Sequence, residues 1–170
     1  MGSSAAKESF IKFAGIDLPV HLAWKKIEVL NVAADHLQRL NESYPELASK
    51  FTCEILPVVR KRLKDSTNGV ALPKPIDDSY IDFLKEKIQT ESPEDCLDAL
   101  RSAYNIDLSL ADLIYHVGEE NYMMSMRREA ELYRDNKILP DQTAQLWNEQ
   151  ERPAPGKLQW TGEDVEELLG

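Results

Sequence analysis

The chain has 170 residues and a mass of 19.4 kDa, with 42% hydrophobic and 29% charged residues, a size and balance that suit one folded domain and leave no room for two large cores. Twenty Lys and Arg stand against 30 Asp and Glu, for a net charge of −10, which argues against a general nucleic-acid-binding surface. Only 7 residues are Gly, which argues against glycine-rich phosphate loops and turn-dense β-sandwiches.

Residues 1–16 read as an N-terminal arm. Lys7, Glu8 and Lys12 interrupt any apolar run there, so the segment does not read as a secretory signal. Gly2 has Ala6 where a myristoylation motif wants Ser or Thr. No apolar run is long enough to span a bilayer, and a cytoplasmic protein without membrane contact is expected.

Helical spacing begins after Pro19. Leu22, Ile27, Leu30, Ala34, Leu37 and Leu40 predict a helix over 20–40, with Trp24 in the core, and the Asn41 to Pro45 stretch breaks it. A second helix is predicted over 45–64, on Leu47, Phe51, Ile55, Val58, Val59 and Leu63. Pro57 inside it predicts a kink or two shorter helices. Arg60, Lys61, Arg62 and Lys64 gather near its end, where cations suit the negative helix terminus; the functional alternative is a phosphate-contacting patch.

Residues 65–76 read as a linker, with a turn signal at Asn68-Gly69 and extended chain at Pro73 and Pro75. An amphipathic helix over 77–90 follows, carrying Tyr80, Ile81, Leu84 and Ile88. Ser92-Pro93-Glu94-Asp95 supplies a hydroxyl cap, a first-turn proline and two carboxylates at a positive helix end, and opens a helix with Leu97, Leu100 and Tyr104. Ser109 and Asp112 repeat that logic for the longest candidate, 109–135, whose buried side takes Leu110, Leu113, Ile114, Val117, Met124 and Tyr133. Gly118 predicts a bend or break near 118–120.

Asp112, His116 and Glu120 fall one helical turn apart, the spacing at which one face can offer metal ligands. No second carboxylate–histidine helix mirrors them, and the simpler expectation is a polar face on which His116 pairs with a carboxylate. Tyr122, Met123, Met124 and Met126 form a soft cluster, suited to helix packing or to an adaptable binding face. Cys53 and Cys96, 43 positions apart and without a Cys-x-x-Cys, are expected as reduced, half-buried thiols.

A short helix is predicted from Pro140 to about 150, with Leu146 and Trp147. The Arg152 to Gly156 stretch reads as the end of the folded body. Residues 151–170 then form a Pro/Gly linker and an acidic amphipathic tail, with Trp160 either folding back or anchoring a partner. No run of five or more residues alternates at period two, and nothing repeats at solenoid period. The expected fold is all-α: a single bundle of about six to seven helices over 17–150, with the tail attached.

The charge is divided unevenly along the chain. Residues 1–76 carry 11 Lys and Arg against 8 Asp and Glu, and residues 77–170 carry 9 against 22. This asymmetry suits an acidic face offered to a protein partner, or head-to-tail self-association. With no catalytic motif and no cofactor implied, the functional expectation is a non-enzymatic adaptor or accessory subunit of a cytosolic assembly. Its partner surface would be the tail: Trp160, Val165, Leu168 and Leu169, flanked by Glu163, Asp164, Glu166 and Glu167. The alternatives are an acidic DNA mimic that occupies a nucleic-acid-binding protein, a regulator contacting phosphate through 60–64, and a metal protein or enzyme centred on His116.

Overall fold

In the structure, a computed structural model, residues 10–13, 16–67 and 72–170 are described. The expected Asn68-Gly69 turn and the Gly2 site lie outside them. The molecule is mostly helical, as the apolar spacing predicts. Strands β1 (Phe10–Phe13) and β2 (Ile16–Pro19) form an antiparallel pair ahead of the first helix, with Ile11 opposite Leu18 and Lys12 opposite Asp17. This corrects the N-terminal arm: each strand is four residues long, too short to carry a readable alternation.

Helices α1 (Val20–Ser43) and α2 (Lys50–Thr67) form an antiparallel hairpin. The direction follows from the cross-links: Thr52 bonds Asn41 at 3.3 Å, while Arg60 further along α2 reaches back to Asp35 at 2.7 Å and to Gln38 at 2.8 Å. Helix α2 starts later than expected, because residues 44–47 form a turn and the Ser49 hydroxyl accepts from the Thr52 amide at 3.1 Å. It runs through Pro57 as one helix.

The remaining helices are α3 (Asp78–Lys87), α4 (Pro93–Tyr104), α5 (Leu110–Val117), α6 (Glu119–Asp135), α7 (Pro140–Glu149) and α8 (Gly162–Leu169). Ser92 caps α4 and Ser109 caps α5, each accepting the amide three residues on at 3.1 Å. Gly118, at φ 90, separates α5 from α6, a backbone angle that side-chain-bearing residues rarely adopt.

Two apolar clusters meet at α5, on adjoining faces that share Leu110. Leu84, Ile88, Cys96, Leu100, Leu113 and Val117 join α3 and α4 to it. Ile114, Tyr122, Met126, Trp147, Trp160 and Val165 join α6, α7 and α8. Each large side chain buried in this way contributes about 1.5–3 kcal/mol.

The body therefore does not end at Arg152. Pro153, Ala154 and Trp160 are buried, and α8 packs on α6 and α7. Three contacts hold the segment down: the Trp160 indole N–H donates to the Arg152 carbonyl at 3.1 Å, the Tyr122 hydroxyl donates to the Pro153 carbonyl at 3.1 Å, and the Asn148 side chain bonds both backbone groups of Trp160 at 2.8 Å. Trp160 thus takes the first of its two expected courses and folds back.

Candidate functional site

Helix α1 has two apolar stripes where the sequence suggests one. Val20, Ala23, Trp24, Ile27 and Ala34 face inward and are buried. Trp24 meets Tyr115 of α5 edge to face with ring centroids 5.8 Å apart, which seats the base of the hairpin on the body. Leu30, Ala33, Leu37 and Leu40 form the second stripe, continued by Tyr44 just past the helix end, at alternating steps of three and four, the spacing of a heptad seam. All are exposed, Leu40 to 55% and Tyr44 to 51%.

Helix α2 behaves in the same way. Thr52, Leu56, Val59, Arg60 and Leu63 turn toward α1, whereas Ile55 and Val58 are exposed, Val58 to 50%. On each helix the open stripe lies about a third of a turn from the contact line, displaced in the same rotational sense along the chain. Because the helices run antiparallel, both stripes emerge on one side of the hairpin. The cross-links set Ile55 near the level of Leu40 and Val58 near that of Leu37. The hairpin thereby carries a two-helix apolar face that nothing in the described chain covers.

The expected tail surface divides differently. Trp160 and Val165 are core residues, at 3% and 1% exposure. Asp164 is also buried, taken up as the cap of α8: its carboxylate accepts from the Thr161 amide at 2.9 Å and the Thr161 hydroxyl at 2.7 Å, and it pairs with Lys157. Leu168 and Leu169 are half-buried against the same core. Glu163, Glu166 and Glu167 remain on the surface. An amphipathic tail with its apolar side docked internally offers a partner only its acidic edge.

Asp112 and His116 act together, though on backbone. The Lys74 amide donates to Asp112 Oδ1 at 2.9 Å, and His116 Nε2 lies 2.8 Å from the Lys74 carbonyl oxygen. Their one-turn spacing clamps both sides of a single residue of the linker onto α5. The second Asp112 oxygen accepts from the Ser109 amide and hydroxyl, while Glu120 is exposed. Among the described residues no group of three or more His, Cys, Asp or Glu is placed to hold a metal.

In the basic cluster, Arg60 is engaged with Asp35 and Gln38 across the hairpin, and Lys61 and Arg62 are exposed. Cys53 is exposed, whereas Cys96 is fully buried and no bond joins them; burial pushes the Cys96 thiol up to about 12. The methionines are split, with Met126 in the core and Met124 exposed to 49%.

Arg152 is the residue that spacing does not reveal. Its side chain is 3% exposed, forks onto Glu94 of α4 and also pairs with Glu129 of α6. Glu129 in turn accepts from the Tyr133 hydroxyl at 2.6 Å, and burial pushes Tyr133 up to about 12. The whole network is internally satisfied and ties three segments of the body together.

Comparison with protein-family models, curated proteins and solved structures finds no match to this chain.

Proposed function

We propose that the chain is a non-enzymatic protein-interaction module, an adaptor or accessory subunit, which docks through the open apolar face of the α1–α2 hairpin. One observation carries this: Leu30, Leu37 and Leu40 of α1, Tyr44 just past its end, and Ile55 and Val58 of α2 share one side of a helical hairpin and are all exposed. Such a patch reaches several hundred Å2, the size at which apolar surface on a folded domain marks a binding site. The partner chemistry is a second apolar helical face, since a heptad seam accepts knobs from another helix. Three residues of catalytic type are otherwise placed: His116 and Asp112 hold Lys74, and Cys96 is buried. Glu163, Glu166 and Glu167 are left as a charged edge remote from this seam in sequence.

Capture from an extract of the source cells, with the tagged full chain as bait, tests the assignment. The double variant Leu37→Glu, Leu40→Glu should keep its helical spectrum and lose the captured protein, a second copy of the chain included. Glu166→Lys with Glu167→Lys should retain it. Loss with the tail variant and retention with the hairpin variant would place the docking surface on α8.

A further inference from the structure

We infer that the occupant of the hairpin face is a second copy of this chain, packed as a two-fold, antiparallel four-helix bundle. The inference rests on the interaction-module assignment above and names its partner. The stripe Leu30, Ala33, Leu37, Leu40, Tyr44 keeps the steps of a seam that buries itself against an equivalent helix, and two antiparallel hairpins related by a two-fold axis, the commonest oligomer symmetry, close a four-helix bundle. No charged residue of α1 stands on the stripe between Leu30 and Tyr44.

The charges at the two ends select the direction. One turn before Leu30 the stripe continues into Lys26, so the base of the face is cationic; Arg62 of α2, one turn past Val58 and level with Ala33, flanks the seam. The turn at the tip carries Glu46 beside Leu47, which is 77% exposed. A parallel pairing sets Lys26 against Lys26. An antiparallel pairing centred near Leu37 sets Leu30 of one copy at the level of Tyr44 of the other, and brings base to tip, cation to carboxylate.

The surface is also large enough. Leu30, Leu37, Leu40, Tyr44, Leu47, Ile55 and Val58 are exposed by 38% to 77%, and together offer on the order of 600 Å2, against the ~800 Å2 per partner of a standard interface.

Sedimentation equilibrium of the full chain, from low to high micromolar, reads the result. The expected mass rises from 19.4 kDa to twice that value. Leu37→Glu with Leu40→Glu, and separately Val58→Glu on the other helix, should each hold the mass at one copy with an unchanged helical spectrum. A wild-type chain that stays monomeric throughout overturns the dimer; if the folded Leu37/Leu40 variant still loses a different captured protein, the interaction-module assignment survives. A dimer that persists in both variants places self-association elsewhere and also overturns the inference. Failure of both variants to fold would mean that the face belongs to the chain's own core, and would overturn inference and assignment together.

Discussion

The guanidinium of Arg152 and the carboxylate of Glu94 lie fork to fork, with Nε to Oε1 at 2.9 Å and Nη2 to Oε2 at 2.7 Å, although 58 positions separate them. Glu94 sits in the first turn of α4, where the helix terminus already favours a negative charge. Glu129 of α6 closes the other side of the guanidinium. Arg152→Ala should therefore lower the unfolding free energy by about 3–5 kcal/mol in urea titration, because it strands the largely buried Glu129 carboxylate. Arg152→Lys should recover only part of the loss, since an ammonium cannot form the paired fork.

The docked tail makes a sharp contrast testable within one short segment. Trp160→Ala should cost about 3–5 kcal/mol, the range for emptying a large aromatic site in a packed core. Glu163→Gln and Glu166→Gln, on the outer side of α8, should stay within about 0.5 kcal/mol of the parent. Equal effects from all three would mean that Trp160 does not contribute to the core. Denaturant midpoints at constant slope measure this.

His21 sets a pH dependence. It is 3% exposed with no hydrogen-bond partner for Nδ1. Burial, reinforced by the Lys25 charge one turn on, lowers it from 6.5 to about 4. Between those values the unfolded chain takes up a proton that the folded chain refuses, so this contribution to stability is complete above pH 6.5, falls as the pH drops, and levels off near pH 4. His21→Leu should flatten that part of the stability-versus-pH curve, as measured by thermal midpoints across the window.

The two thiols should react at very different rates. Cys53 is exposed on α2, whereas Cys96 lies in the α3–α5 cluster with its thiol held far above neutrality. A thiol-reactive chromophore should modify one site quickly in the native chain and both in denaturant. Cys53→Ser should abolish the fast phase.

Local signals carried far in this sequence, and pairings across distance did not. Ser92-Pro93-Glu94-Asp95 and Ser109 with Asp112 mark helix starts because the capping chemistry lies within three residues. Gly118 marks a helix break because glycine takes up its positive φ at no steric cost. Spacing alone puts Ile27, Leu30, Ala34, Leu37 and Leu40 on one stripe, whereas Ile27 and Ala34 pack inward and Leu30, Leu37 and Leu40 face out. At steps of three and four, two adjacent faces of one helix are hard to separate until a neighbour is known. Trp160 and Arg152 were obscured for a related reason. The Pro and Gly residues around them read as a linker, and only contacts with Tyr122, Asn148, Glu94 and Glu129, up to 58 positions away, show the chain turning back.

The docking face itself is best tested by methyl-resolved NMR of the full chain on serial dilution. The methyl resonances of Leu30, Leu37, Leu40, Ile55 and Val58 should shift with concentration, while those of Val165, Leu168 and Leu169 in the tail stay fixed. Shifts confined to the tail, or none at any concentration, would contradict a hairpin-mediated pair.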